Sequence, residues 1–483
     1  MQYMVIQRVM GMLLMIFSTT MLPPLAVSFL YADGARLAFT IPLLVTLGTG
    51  LLLWLPVRSR RNDIRVREGF VIVTLFWLLL ALSGSLPLFI ADRPMLGFTD
   101  AFFESMSGLT TTGATVLNGI DALPESIRYY RQQLQWLGGM GIVVLAVAVM
   151  PMLGVGGMQL YRAETPGPLK DSKLMPRISE TAKALWYIYL GLTVAAAIAY
   201  WLAGMSVFDA IGHSFSTISI GGFSTHDQNM GYFDNPLISA VAVVFMLLAG
   251  INFALHFLAW RDRSLRPILR DAEVRAYFMI ISLVVVTTVI TLFATNTFST
   301  PGETLQHGIF QAVSIATTTG FTTTGYAGWP LYLPVLLIMA AFVGGCAGST
   351  AGGMKVIRAL LLYKQGIREI FRLVHPAAIY PVKIGGKPTD DTVLNAVWGF
   401  FSLYVVSFAL LSLVMMGTGI DLVTAFSAVA ATMTNLGPGM GDVANNYAGL
   451  SDTAKWVLSF AMLLGRLELF TLLVLFTRTF WRN

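Results

Sequence analysis

The chain has 483 residues, of which 56% are hydrophobic and only 12% are charged. This composition lies far outside that of soluble globular proteins and predicts a protein that crosses a membrane many times. The single cysteine, Cys346, excludes a disulfide framework within the chain, and the net charge of +6 falls in short runs between apolar segments, which argues against nucleic-acid binding.

Ten segments are apolar and long enough to cross the hydrocarbon layer as helices, for which about 20 residues are needed. The first is followed at once by another, so we expect it to be a retained anchor rather than a cleaved signal peptide. The loops 57–69, 159–183, 261–275 and 355–387 are basic and fall on one side when ten spans are counted. The positive-inside rule makes that side cytoplasmic and places both termini there. The predicted spans are 4–30, 38–56, 70–90, 131–153, 184–204, 237–260, 276–295, 331–362, 393–416 and 453–478.

Four further segments lie on the outer side, each between two spans. Each has a short apolar stretch followed by a run rich in threonine, serine and glycine, of which SIATTTGFTTTGY at 314–326 is the clearest. When the glycines are aligned, a small residue stands twelve positions earlier and a hydroxyl residue three positions earlier in every segment. The chain therefore contains a fourfold repeat of span, short helix, Thr/Gly strand and span. The aligned glycines are Gly113, Gly222, Gly320 and Gly437.

The short helices need start signals. Asp100 and Asp209 directly precede the small residue in the first two repeats. Because aspartate side chains accept hydrogen bonds from free N–H groups at a helix start, these two residues are predicted to be N-caps.

Irregular backbone is tolerated at membrane depth only inside protein or along an aqueous cavity. Four such segments predict a pseudo-fourfold ring, in which carbonyls and hydroxyls replace the hydration shell of an alkali cation. Glycine allows positive φ and close approach, and threonine adds a neutral oxygen. The alternative is that the segments are polar re-entrant loops that merely close helix hairpins. The predicted filter residues are Thr110, Thr111, Thr112, Gly113, Ser219, Ile220, Gly221, Gly222, Thr317, Thr318, Thr319, Gly320, Thr434, Asn435, Leu436 and Gly437.

The eighth predicted span is interrupted by GGCAGSTAGGMK at 344–355. Five glycines in the ten residues 344–353 make a regular helix costly. A phosphate-binding loop is excluded, because no Gly-Lys-Ser/Thr follows and no strand precedes. Helix packing through small residues remains an alternative to a functional loop.

Arg466 lies inside the last predicted span, where a charge costs about 2.5–3.5 kcal/mol on insertion scales. We therefore expect it to face a pore or a partner. Glu468 is two residues further on, on another side of the helix, so the two side chains cannot easily pair within it. A cation beside a cation pathway suits a gate; pairing with a carboxylate of another span is the alternative.

The four repeats resemble the Trk/Ktr/HKT superfamily of potassium transporters, over residues from about 70 to 480. The two additional N-terminal spans favour the Trk branch over the shorter KtrB branch. The resemblance implies a homodimer, with four repeats around one pore in each chain. It also implies a gate below the filter, made by an intramembrane loop of the third repeat and an arginine of the fourth. The gate residues so implied are Gly344, Gly345, Gly348, Ser349, Thr350, Gly352, Gly353, Lys355 and Arg466.

The fold class predicted is thus an all-α polytopic membrane protein with two extra N-terminal helices before the repeats. The N-terminal pair and its basic loop take residues 1–69. The repeats are predicted at 70–170, 171–262, 263–375, which contains the glycine-rich loop, and 376–483.

The resemblance further implies potassium uptake across a bacterial inner membrane, with K⁺ as the transported ion. It implies control by a cytosolic TrkA-like ring that binds NAD and ATP, for which the basic segments 159–183 and 355–387 are candidate docking faces. A coupled secondary cation transporter with a midplane site is the alternative, although its inverted repeats would contrast with these four, which share one orientation. Enzyme functions and an organic cofactor are not expected, because no HExxH motif or Rossmann fingerprint is present.

Overall fold

The computed structural model of the protein describes residues 2–59, 66–139, 141 and 178–482. Parts of two predictions lie outside the described residues. They are residues 140 and 142–153 of the predicted fourth span and residues 159–177 of the basic segment 159–183. The described chain is mostly helical, with one short antiparallel pair of strands, β1 (Lys383–Ile384) and β2 (Lys387–Pro388), in which Lys383 lies opposite Pro388. The predicted all-α class is confirmed.

The helices follow the predicted order of span, short helix and span. The N-terminal part and the first two repeats contain α1 (Tyr3–Thr19), α2 (Leu22–Tyr31), α3 (Arg36–Trp54), α4 (Val66–Ile90), α5 (Phe98–Leu109), α6 (Glu125–Gly139), α7 (Ile178–Leu202), α8 (Val207–Ile218), α9 (Pro236–Ala249) and α10 (Phe253–Arg261). The remainder contains α11 (Arg266–Arg270), α12 (Ala272–Ala294), α13 (Pro301–Ala316), α14 (Leu333–Val343), α15 (Val356–Val374), α16 (Asp391–Gly417), α17 (Leu422–Met433), α18 (Asp452–Arg466), α19 (Phe470–Leu473) and α20 (Arg478–Trp481). Short 3-10 segments cover Leu55–Val57, Ile120–Ala122, Asn229–Phe233, Gly441–Val443 and Val474–Phe476.

Two of the predicted spans are bent rather than continuous. The segment 237–260 forms α9 and α10, which meet at 92°, and 453–478 forms α18 and the helical segment Phe470–Phe476, which meet at 110°. The first break follows from Asn252, whose side chain caps the new helix by accepting from the Ala254 N–H. Hydropathy could not predict either bend, because it measures how apolar a segment is and not the direction of its helix axis.

Among the described residues, six helices are long and apolar enough to cross a membrane, and eight spans result if each bent pair counts as one. The predicted span 331–362 is not one helix. It consists of the eleven-residue α14, a loop at 344–355 and the start of α15. This interruption is the one that the glycine-rich sequence predicts.

The short helices of the first two repeats, α5 and α8, begin earlier than predicted. Asp100 and Asp209 occupy the third helical position, and the N-cap positions belong to Gly97 and Ser206. The Ser206 hydroxyl accepts from the Asp209 N–H at 3.1 Å and donates to the Asp209 carboxylate at 2.7 Å. The N-cap prediction was wrong because a carboxylate is favourable throughout the first turn, where free N–H groups and the helix dipole both attract negative charge.

The short helices are arranged in a closed ring. Each packs between the two helices that flank it in its own repeat and also against the second flanking helix of the preceding repeat. The contacts between repeats are α6 with α8, α9 with α13, α14 with α17, and α18 with α5. The fourth repeat thus returns to the first, while α1, α2 and α3 pack on the outside of the first repeat.

Candidate functional site

The four predicted filter segments share one backbone conformation. In each, the residue three positions before the aligned glycine closes the short helix in a near-helical conformation. The next residue has a φ of +55° to +66°, and the one after it donates its N–H to the carbonyl five residues back at 2.7–2.9 Å. The glycine has a φ of +79° to +97°. The residues with positive φ before the glycines are Thr111, Ile220, Thr318 and Asn435.

The aligned glycines also contact the neighbouring segments in a closed cycle. We call these four extended segments the strands of the ring, although they form no β-sheet; they are 110–113, 219–222, 317–320 and 434–437. A Cβ atom added to any of the four would lie 2.5 Å or less from a carbonyl oxygen of the next strand, closer than real Cβ atoms approach. The pairs are Gly113 with Gly221, Gly222 with Thr319, Gly320 with Leu436 and Gly437 with Thr112. In every pair the oxygen belongs to the residue just before the next repeat's glycine. The sixteen predicted residues therefore meet in one ring, and its glycines are required by close approach as well as by φ.

Polar side chains outside the ring hold its backbone. Gln135 donates to the Gly221 carbonyl at 2.5 Å and accepts from the Phe223 N–H at 3.0 Å. The Tyr447 hydroxyl donates to the Gly437 carbonyl at 2.7 Å. These supports were missed in the sequence, although the polar run RQQLQ at 131–135, inside a predicted span, was an available signal.

The second half of the glycine-rich loop lies directly against the ring. The Thr350 hydroxyl donates to the Ile218 carbonyl at 2.8 Å, and the Gly352 N–H donates to the Thr318 hydroxyl at 2.7 Å. The Gly353 N–H donates to the Thr434 carbonyl at 3.0 Å. Three repeats are thus tied to one short stretch of loop.

The first half of the loop lies against the break between α9 and α10 instead. The Cys346 N–H donates to the Gly250 carbonyl at 2.9 Å, and the Phe253 N–H donates to the Gly348 carbonyl at 3.0 Å. The Ser349 hydroxyl bonds back to the Cys346 carbonyl at 2.6 Å. Of the predicted gate residues, Gly344, Gly345, Gly348 and Ser349 therefore have no described hydrogen bond to a filter residue; Gly344 packs against 352–353 where the loop closes.

Arg466 joins the loop to the first segment of the glycine ring. One guanidinium nitrogen lies 3.2 Å from the Thr111 hydroxyl and 3.4 Å from the Thr350 carbonyl. The other donates to the carbonyls of Gly138 and Gly139, the latter at 3.0 Å. The arginine thus ends α18 at the point where the ring, the loop and the end of α6 meet.

Further charged side chains surround the loop; of these, Lys355 is a predicted gate residue, whereas no role is predicted from the sequence for Glu273, Arg358 and Glu468. The carboxylate of Glu273 accepts from the N–H groups of Ala347 at 2.7 Å and Ile357 at 3.1 Å, near the two ends of the loop. Lys355 donates to the Ala351 carbonyl within the loop. Glu468 pairs with Arg358 in the first turn of α15.

The oxygens of the ring are neutral ones, from carbonyls, hydroxyls and an amide. Among the described residues, no cluster of three or more His, Cys, Asp or Glu side chains could hold a resident metal ion. The site is therefore suited to a monovalent cation that is bound weakly enough to leave.

A histidine cluster joins the first two repeats beyond the ring. His226 pairs with Asp121, lies 3.2 Å from an Asp209 carboxylate oxygen and stacks on Tyr232. Burial lowers the pKa of His226, but hydrogen bonds to Asp209 and Asp121 and the charges of both carboxylates outweigh this effect and raise its pKa above the ordinary value.

We expect the cluster to make stability pH-dependent. Because the pKa of His226 is raised in the folded protein, its stabilisation is complete below about pH 6.5, the ordinary histidine value, and is lost as pH rises through the folded-state pKa. The melting temperature of the purified protein should therefore fall across this window, and His226→Gln should flatten the dependence. An equally steep dependence in the variant would contradict the assignment.

Comparisons with known proteins agree with this architecture. A family model described as "TrkH: Cation transport protein" matches residues 35–482. The chain is 56% identical, over all of both chains, to the Trk system potassium uptake protein TrkH of Vibrio parahaemolyticus, and 55% identical, again over all of both chains, to that of Escherichia coli K12. It is 41% identical to TrkG of E. coli K12 over 99% of both chains. The crystal structure of the potassium transporter TrkH from V. parahaemolyticus matches it with a TM-score of 0.91 and 53% identity over all of both chains.

Proposed function

The chain belongs to the TrkH family of cation transport proteins, and on this premise we propose that it takes up potassium across the bacterial inner membrane through the ring of four glycine strands. It is a multi-pass membrane transport protein rather than an enzyme. K⁺ is the transported ion, and both termini lie in the cytoplasm.

The closed cycle of glycine contacts is the observation that carries this proposal. Four strands with the same φ pattern surround one axis, and their oxygens carry no formal charge. Such a ring can replace the hydration shell of a potassium ion while leaving the ion free to move on. Gln135 and Tyr447 stiffen the ring, because each holds one of its carbonyls with a hydrogen bond.

The loop 344–353, Lys355 and Arg466 form the gate below this filter. The loop is bonded to residues of three repeats, and Arg466 lies within hydrogen-bond distance of both the loop and Thr111. A positive charge in a low-dielectric passage repels potassium, and the hydrogen bonds hold the loop in place, so both effects favour the closed state.

Regulation comes from outside the chain. We propose a homodimer and a cytosolic TrkA-like ring that binds NAD and ATP, which docks on the cytoplasmic side. We propose the segment 355–387 as the docking surface. It carries seven basic residues and one acidic residue, and it follows directly from the gate loop.

Tracer uptake tests the function. The purified full-length protein in liposomes should take up ⁸⁶Rb⁺, and unlabelled K⁺ should compete far better than Na⁺. Imposed proton and sodium gradients should not be needed for uptake. Dependence on either gradient would favour the coupled transporter, and absence of Rb⁺ uptake by folded protein would contradict the proposal.

A further inference from the structure

A buried ion pair lies directly behind the first two filter strands. Glu104 of α5 and Arg131 of α6 are bonded at 2.8 Å, and their side chains are 0% and 1% exposed. Burying two charges costs several kcal/mol each by desolvation, and well-packed apolar residues often replace such pairs without loss of stability. Stability alone is therefore a weak reason for a charged pair at this place.

The contacts of the pair lead to the filter. Glu104 accepts from the Thr115 hydroxyl and the Val116 N–H, each at 3.0 Å. Arg131 donates to the Thr115 hydroxyl at 3.2 Å and to the Ser224 carbonyl at 3.1 Å. Thr115 and Ser224 are equivalent residues, each two positions beyond the aligned glycine of its repeat. The guanidinium thus joins the same point of two neighbouring strands.

In two other repeats, the residue equivalent to Glu104 has a related role. Nine residues before their glycines, the second and third repeats carry His213 and Gln311. His213 is 2.9 Å from the Ser224 hydroxyl, and Gln311 accepts from the Thr323 N–H at 3.2 Å. In three repeats, therefore, this residue of the short helix holds the strand two or three residues beyond the glycine. Only in the first repeat is it charged and bonded to an arginine that reaches the next strand.

We infer that Glu104 and Arg131 are positioning residues for ion selectivity, which set the distance between the first and second filter strands. The inference rests on the proposed potassium function. An ion ring discriminates between cations by the placement and rigidity of its oxygens, and a fork of donors fixed by a buried carboxylate restrains that placement. Lysine cannot reproduce it, because its single ammonium lacks the planar fork that reaches three partners.

The test compares selectivity rather than amount of transport. Arg131→Lys keeps the charge and loses the fork, and the double variant E104Q/R131M removes both charges, so neither leaves a lone buried ion. The matched control is E125Q/R128M, which removes the Glu125–Arg128 pair one turn earlier on α6, where no described contact reaches a filter strand. Competition of K⁺ and Na⁺ against ⁸⁶Rb⁺ uptake in liposomes gives a ratio that does not depend on how much protein is active.

We expect the K⁺/Na⁺ ratio to fall about tenfold in Arg131→Lys and in the double variant, the scale of one lost charge-assisted hydrogen bond. The control should match wild type. Unchanged ratios in the folded variants, or an equal fall in the control, would overturn the inference. Loss of folded protein in both variants would assign the pair to folding and overturn it as well. If wild type itself failed to discriminate K⁺ from Na⁺, the proposed function would fail instead.

Discussion

Arg466→Ala should raise basal potassium flux about tenfold, since a hydrogen bond from a charged group contributes about 1.5–3 kcal/mol and the closed state would lose it. The guanidinium lies within reach of the Thr350 carbonyl in the loop and the Thr111 hydroxyl in the filter, so its removal frees the loop from the first strand. The same change removes a positive charge from the passage. The flux of Arg466→Lys should lie between those of the wild type and Arg466→Ala. Lysine keeps the positive charge, but its single ammonium cannot bond to the separate partners that the guanidinium reaches.

The measurement is initial ⁸⁶Rb⁺ uptake in liposomes without any regulatory subunit, with gel filtration as a check on folding. Arg478→Ala is the control, because Arg478 is an exposed arginine near the same end of the chain. Deleting 349–352 should raise flux as well, since it removes the other side of the same contact. A folded Arg466→Ala protein with unchanged or lower uptake would contradict the gate.

Gly320→Ser should strongly reduce selectivity for potassium over sodium. Gly320 has a φ of +79°, and an added Cβ would collide with the Leu436 carbonyl oxygen of the next strand. Overpacking of this kind costs about 1–3 kcal/mol. If this energy is lost from the preference for K⁺ over Na⁺, the K⁺/Na⁺ selectivity ratio falls by a factor of roughly 5 to 150. The ring can relieve the clash only by moving two strands apart. This movement changes the spacing of the ring oxygens and reduces their rigidity, and discrimination between K⁺ and Na⁺ depends on both.

Gly325→Ser is the matched control for this change. Gly325 lies five residues further along the same segment, and an added Cβ there meets nothing within 4 Å. The K⁺/Na⁺ ratio from tracer competition should therefore fall in Gly320→Ser and stay at the wild-type value in Gly325→Ser. Equal ratios in both variants would rule out a filter at Gly320.

The ring was predictable because its determinants are local and repeated. Gly320 and its three counterparts each need a positive φ, and each is preceded at a constant distance by a hydroxyl residue and a small residue. Four repeats that share one orientation were then expected to form a ring around a common axis. The glycine-rich loop was predictable for a similar local reason, since 344–353 cannot form a helix cheaply.

The supports of the site were not predictable in the same way. Glu104 and Arg131 are 27 residues apart on different helices, and nothing local to either residue names its partner. Glu273 and the pair of Arg358 with Glu468 depend likewise on how distant helices pack. The bends after α9 and α18 were also not predicted from the sequence, because hydropathy measures how apolar a segment is and not whether its helix is straight.

The most direct test of the central claim is to locate the transported ion. Crystals of the protein grown in Rb⁺ should give anomalous density on the axis enclosed by Gly113, Gly222, Gly320 and Gly437, and replacing Rb⁺ by Na⁺ should remove it. Rb⁺ bound elsewhere in the membrane region, with none inside the ring, would contradict the account.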